Sequence, residues 1–333
     1  NFNVLATDVY KQVIGQQNFS MGAVVGMVLL APAALAFVID RMVQRKQVAL
    51  LTSRAVPLIP KPKAGRDLFF TVFCATIAAG ILTILGMAIW GSLIKYWPYN
   101  LSLTLGNYYF SNFDANGWES YFNSLRMAVG AAIVGTALMF VGAWLNEKTR
   151  GFGIVRGVVQ LLAFLPMAVP GIVLGLGYIF FFNAPNNPLN FLYATMAILV
   201  INTVAHFYTV GHLTATTALK QIDPEFESVS ASLKVPIWKT FSRVTAPICL
   251  PAILDIAIYL FVNAMTTVSS VIFLYASDTK LASVAAVNIE ETGATAAAAA
   301  LCVVIVITSA IVKTMHLLAD RFLLGRLQAW RRR

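Results

Sequence analysis

The sequence predicts an all-α integral membrane protein with seven transmembrane helices, and three observations carry that expectation. Hydrophobic residues fill 59% of the 333 positions and charged ones only 11%, with a mean hydropathy of +0.75, outside the balance of a water-soluble domain. Apolar runs long enough to cross roughly 30 Å of hydrocarbon as helix recur along the chain. The basic residues gather in the connectors between those runs, where orientation in a bilayer needs them.

The first run lies at about 20–39. It follows an opening Asn1-Phe2-Asn3 with no basic n-region and no cleavage-site pattern, so the sequence is expected to be a fragment of a longer chain. Leu5-Ala6-Thr7, a small-residue span and Asp40-Arg41 have a late counterpart in Leu281-Ala282-Ser283, another such span and Asp320-Arg321. Internal repeats of this kind mark membrane halves. Residues 1–40 are therefore expected to be the last helix of a preceding half, chance similarity between two Ala-rich helices being the alternative. Pro57, Pro60 and Pro62 among basic residues make 41–67 the cytoplasmic linker, and 68–333 the transmembrane domain.

The remaining runs lie at about 68–93, 122–145, 158–182, 191–212, 247–274 and 294–315. An outer N-terminus and a cytoplasmic C-terminus put all of the 24 basic residues inside except Lys11, Lys95, Lys280 and Arg126, the last at a span end where it can snorkel. The charge of +10 thus reads as topology. It does not read as nucleic-acid affinity, for no basic groove or RNA-binding signature accompanies it. Cys74, Cys249 and Cys302 sit in or beside apolar stretches without a Cys-x-x-Cys spacing, so neither a disulfide framework nor a metal site is expected, and no cofactor.

The outer segment 94–118 carries Tyr96, Trp97, Tyr99, Tyr108, Tyr109, Phe110, Phe113 and Trp118. Two readings are open: an aromatic belt at the membrane interface, and a docking surface for a periplasmic partner.

Ionisable and polar groups inside spans are costly and mark candidate path residues. Asp255 stands about two turns into the sixth span on the face of Tyr259, Val262 and Asn263; it reads as a path or inter-half contact, or as a structural pair near the cytoplasmic surface. Asn202 and His206, one turn apart in the fifth span, are candidates for the same path. Thr266, Thr267, Ser269 and Ser270 are expected to bond their own helix carbonyls. Pro166 and Pro170 with Gly171 should break the fourth span, which is tolerable only where protein or cavity satisfies the freed carbonyls and favours a path-lining position.

The connector at 213–246 is the most informative stretch. Asp223-Pro224-Glu225 is a helix-start signal: Asp caps orphan amides, Pro suits the first helical position, and the acids complement the positive dipole end. Phe226, Val229 and Leu233 follow at helical spacing on one face. The chain must turn near Lys234-Val235-Pro236, and Ile237, Phe241 and Val244 stripe a second short helix before Pro247. An amphipathic helix–turn–helix is expected, its stripe either free for a partner or packed on the bundle's own ends.

The order Asp-Pro-Glu-Phe-Glu at 223–227, then Lys234, Trp238, Phe241, Arg243, Pro247 and Leu250-Pro251, resembles the EAA loop of type I (MetI-like) permeases in ATP-binding-cassette importers. The resemblance spans nearly all of 68–333, including the Pro166 to Gly171 pattern, and implies a six-helix permease half with the loop between its fourth and fifth spans. It implies as partners a cytosolic ABC ATPase seated on that loop, a periplasmic solute-binding protein and a second permease half, in a bacterial inner membrane. The family's Glu-Ala-Ala falls here on Ser228-Val229-Ser230, with Glu227 supplying the acid one position early. Its glycine falls on Lys234, where positive φ is disfavoured.

Residues 250–256 and 261–275 resemble the fused two-half permeases of iron(III) and 2-aminoethylphosphonate importers, more closely the phosphonate branch. This implies 2-aminoethylphosphonate as solute, otherwise iron(III). A secondary, ion-coupled transporter is the alternative, though it would need more intramembrane carboxylates than Asp255. The sequence lacks a Gly-rich phosphate loop ending in Gly-Lys-Ser/Thr, a His-Glu-x-x-His motif and a Ser/Lys pair, so ATP hydrolysis is expected from a separate subunit and no catalytic residue is expected here.

Overall fold

The structure, a computed structural model, describes residues 4–44, 61–148, 153–223 and 225–321. Pro224 and most of the expected linker, with Pro57 and Pro60, lie outside the described residues. The chain opens with α1 (Leu5–Tyr10), a π turn (Lys11–Gly15), α2 (Phe19–Gln44) and α3 (Ala64–Leu93). A two-stranded antiparallel hairpin follows, β1 (Ile94–Tyr96) against β2 (Asn100–Leu103), then α4 (Glu119–Lys148), α5 (Gly153–Ala168), α6 (Gly171–Phe182), α7 (Met196–His206) and α8 (Tyr208–Lys220). The second part holds α9 (Glu225–Ser232), α10 (Ile237–Thr240), a π turn (Phe241–Thr245), α11 (Ala246–Ile248), α12 (Leu250–Thr266), α13 (Ala282–Glu291) and α14 (Thr295–Ala319).

Among the described residues, four helices are long and apolar enough to cross a membrane alone: the Phe19–Ala36 part of α2, then α3, α4 and α14. Three further pairs qualify only together, bent by 112° between α5 and α6, by 56° between α7 and α8, and by 74° between Ile237–Ile248 and α12. With each bent pair as one span the total is 7, in line with the runs read from the sequence. The α5–α6 break is chemical. Pro170 has no N–H to donate, and at ψ 137° it leaves the helix before α6 restarts at Gly171. Pro166, expected to share in the break, stays inside α5.

The expected run at 247–274 stops being helical at Thr266. Residues 267–276 are turns and irregular backbone, and the chain then forms α13. That helix is absent from the sequence expectation because ten residues cannot span a bilayer; six of them, including Ala282, Val284, Ala285 and Ile289, are buried.

The core forms around α4, flanked by α7, α8, α12 and α13. Met127, Met139, Leu199, Ile256, Leu260 and Met265 are fully buried there. Gly135 permits close approach: a Cβ at that position would lie 2.6 Å from Leu260 Cδ1 and 3.0 Å from Val204 Cγ2, the small-residue packing that membrane helices use in place of a hydrophobic drive.

By contrast, α3 stands outside the core. None of its apolar stretch is buried by the described residues, its Phe69, Phe70, Phe73, Ile77 and Ile81 are exposed, and no described residue lies within 4 Å of where Gly80 or Gly86 would carry a side chain. The pair α1–α2 repeats the short-then-long plan of α13–α14, and Tyr10 Oη donates to Glu291 Oε1 at 2.8 Å across the two. Burial, helped by that bond, pushes the Tyr10 phenol up to about 12.

A polar clasp joins the segment before α4 to the one before α13. Lys280 Nζ sits 2.6 Å from Asp114 Oδ1, both nearly buried. Ser120 Oγ donates to the other carboxylate oxygen, Asn123 Nδ2 donates to the carbonyls of Asp278 and Lys280, and Ala282 N donates to Ser124 Oγ at 2.8 Å.

Candidate coupling hairpin and path residues

The hairpin at 223–248 is built by local signals. Asp223 Oδ1 accepts from Glu225 N at 2.9 Å, the capping role its side chain suits, and Glu225 and Glu227 occupy the first turn of α9. The helix ends in a Schellman-type closure: Val235 N donates to Ser230 O and Lys234 N to Ala231 O, each at 3.0 Å. Lys234 takes the left-handed position of that motif with φ +54°. The expectation that a lysine would resist this geometry is corrected, because two backbone bonds hold it there. Pro236 then leads into α10, and the hydroxyls of Ser230 and Thr240 tie the two helices together.

One side of the hairpin faces its own bundle. Phe241 packs tilted against Trp144 of α4 with ring centroids 4.5 Å apart and lies 6.0 Å from Phe140. Glu227 Oε1 meets Lys148 Nζ at 2.6 Å. Of the expected loop residues, Phe241 takes the packed option that the sequence left open, and Glu227 is held by the bundle's own Lys148. The other side is uncovered. Phe226, Val229, Ile237, Leu233 (70% exposed) and Trp238 (67%) present apolar surface away from the chain. Phe226, Val229 and Leu233 line a groove of about 650 Å³ with Lys239, Arg243 and Val244. Pro247 lies exposed in α11, and Ser228 is exposed on α9.

The candidate path residues divide. Pro170, His206 and Asn202 come together where the α5–α6 break, the end of α7 and the irregular segment after α12 meet. A Cβ on Gly171 would lie 2.5 Å from Ser269 Oγ and 3.0 Å from His206 Cε1, so three pieces of chain share one small space. Asn202 is fully buried and donates through Nδ2 to Ser270 O at 2.8 Å. Asn202 Oδ1 and His206 Nδ1 are buried without a hydrogen-bond partner among the described residues.

Asp255 and Asn263 do not join this cluster. Asp255 Oδ1 lies 3.1 Å from His316 Nε2 on α14 and borders a groove of about 740 Å³ with Phe226, Ile248 and Asp223. Asn263 Nδ2 donates to Tyr259 O in its own helix, as Thr266 Oγ1 does to Val262 O. Thr267 and Ser270, expected to do likewise, lie past the helix end and face each other at 3.3 Å. The sequence reading missed His316 and Lys148. A lone intramembrane carboxylate calls for a partner, and the 3 histidines in the chain are a short set of candidates for it.

A model of the family described as "Binding-protein-dependent transport system inner membrane component" matches residues 139–322, from within α4 to past the end of α14. The chain belongs to this family. Among its relatives, the putative ferric transport system permease protein FbpB 1 of Haemophilus influenzae is 29% identical over 290 residues, taking in 84% of this chain and 45% of that protein. The ferric transport system permease protein FbpB of Actinobacillus pleuropneumoniae is 28% identical over 88% of this chain and 43% of its own length.

The chain therefore spans less than half the length of these two relatives. A putative 2-aminoethylphosphonate transport system permease protein, PhnV of Salmonella paratyphi A, is 23% identical over 76% of this chain and 92% of that protein. Like the family itself, all three are named for transport and none as an enzyme. A chain of a bacterial alginate ABC transporter, crystallised with an alginate pentasaccharide-bound periplasmic protein, superposes with a TM-score of 0.61 at 15% identity, over 77% of this chain and 95% of that one. That likeness is one of fold: an all-α membrane permease of the type I architecture.

Proposed function

We propose that this chain forms one membrane half of an ATP-binding-cassette importer in a bacterial inner membrane, and that the hairpin at 223–248 is where a cytosolic ATPase grips it. The observation that carries this reading is the two-sided hairpin, anchored on α4 by Phe241 and Glu227 and bare on the side of Phe226, Val229, Leu233 and Trp238. A hairpin fixed to the bundle on one side and apolar on the other can transmit a push from a bound protein into α4 and α12. Asn202 and His206 serve as path residues at the α5–α6 break, since buried polar atoms without a protein partner call for another one.

Residues 1–40 act as the tail of a preceding half. The shared plan of α1–α2 and α13–α14 supports this. For the solute we take iron(III) ahead of 2-aminoethylphosphonate, supported by the 29% and 28% identity of two ferric relatives against 23% for PhnV, although the motif at 250–275 resembles the phosphonate branch more closely. Uptake of each labelled solute by proteoliposomes with the cognate binding protein separates the two.

The test of the hairpin is Phe226→Ala or Trp238→Ala in the full permease. Each should lower co-purification of the ATPase by about tenfold, as loss of a central apolar anchor does, with membrane insertion unchanged. Undiminished co-purification of both variants overturns the coupling role. Uptake that collapses with an ionophore while ATP stays high would favour the ion-coupled alternative.

A further inference from the structure

The aromatic segment after α3 is two surfaces, and the structure separates them. From 106 onward the segment is pinned inward by one ring, with Tyr109 left outside: Phe110 is fully buried, its ring 4.8 Å from Trp118 and 6.2 Å from Tyr108. Tyr108 Oη meets Ser92 Oγ at 2.9 Å. From 95 to 103 every residue is exposed, and the large side chains among them are aromatic or aliphatic apart from Lys95: Tyr96, Trp97, Tyr99 (85%), Leu101 and Leu103 (72%). Tyr96 and Tyr99 stack on each other at 5.9 Å. No acidic residue occurs from 94 to 113, and Lys95 is the one basic residue there.

We infer that the β1–β2 hairpin is an interfacial anchor, lying in the headgroup region of the phospholipid bilayer beside the end of α3. Continuity with α3 argues this occupant over a soluble protein. The hairpin begins at the residue after α3 with no linker, and it is clamped to that helix. Asn107 Nδ2 donates to the carbonyls of Ser92 and Ile94, Thr104 N donates to Leu93 O at 2.6 Å, and Trp97 meets Trp90 edge-on at 5.8 Å. The 30 residues of α3 make a helix of about 45 Å, which overruns the hydrocarbon and brings its last turn to the headgroups.

Strands of three and four residues reach only about 13 Å further, too short to carry the tip clear of the interface. Tyr and Trp, with an apolar body and a polar handle, are the side chains that favour this zone. A free two-stranded hairpin is marginal in water, and lipid contact supplies the surface that the chain does not. The inference needs the membrane fold alone and stands apart from the importer reading.

The test is spin-label accessibility in the full permease, reconstituted in phosphatidylcholine–phosphatidylglycerol vesicles on a background without native cysteines. Labels go on Tyr99→Cys and, separately, Leu103→Cys, with Ile77→Cys on α3 as the lipid reference and Asp278→Cys as the aqueous one. Labels at 99 and 103 should be about threefold or more accessible to oxygen than to a neutral nickel complex, the polarity order of a site at or below the headgroups. Nickel accessibility equal to that at 278 overturns the anchor. So does shielding from both reagents, which would mean that protein covers the hairpin.

Discussion

Glu227 Oε1 lies 2.6 Å from Lys148 Nζ, joining the first helix of the hairpin to the end of α4. The lysine is nearly buried and the glutamate about a third exposed, so the pair works as a bracket that sets the hairpin's angle. Glu227→Lys puts like charges face to face and should weaken ATPase co-purification several-fold, in keeping with about 1 kcal/mol for a partly exposed pair. Adding Lys148→Glu should restore it. A double variant no better than the single one would argue that Glu227 contacts the ATPase itself.

Lys234 holds φ +54° in the closure of α9, a conformation that costs a side-chain-bearing residue about 1 kcal/mol relative to glycine. Lys234→Gly should therefore firm the turn and slow limited proteolysis around 232–237 by about fivefold. Faster cleavage would show that the lysine side chain contributes more than its backbone strain costs.

Asp114 and Lys280 form a nearly buried ion pair with Ser120 on the second carboxylate oxygen. Lys280→Met leaves the carboxylate buried without its counter-charge and should cost about 3 kcal/mol, whereas pairing Lys280→Met with Asp114→Leu should recover most of that loss. Thermal stability in detergent reads both. Equal melting of the single variant and the parent would mean that water solvates the clasp.

A Cβ on Gly175 would lie 2.6 Å from the carbonyl oxygen of Ser270, a backbone atom that cannot swing aside. Gly175→Ala should lower thermal stability by about 1–3 kcal/mol. Gly177→Ala, two residues on in the same helix with open space around it, should be neutral or gain a few tenths. Similar melting for both would place the irregular segment further from α6 than its geometry indicates.

How much of this was legible in the sequence depended on what physics forces. Bilayer thickness makes span length obligatory, so the apolar runs were readable, α3 and α14 within a few residues. The capping of α9 by Asp223 was readable because caps are local. What escaped notice depends on tertiary contact: α13 is defined by burial against α14 and α4, and the partner of Asp255 comes from α14, 61 residues away. Pro166 and Pro170 looked alike in sequence, yet only Pro170 leaves the helix. The turn at Lys234 shows the converse, a poor local choice held in place by hydrogen bonds.

The bare surface of α3 turns that helix into a reporter. Since none of the described residues lies within 4 Å of a Cβ on Gly80 or Gly86, a leucine at either place leaves their packing undisturbed. A variant that inserts and folds normally yet fails in the assembled machine would trace the outline of whatever body leans on α3, and a scan along its length would map that body turn by turn.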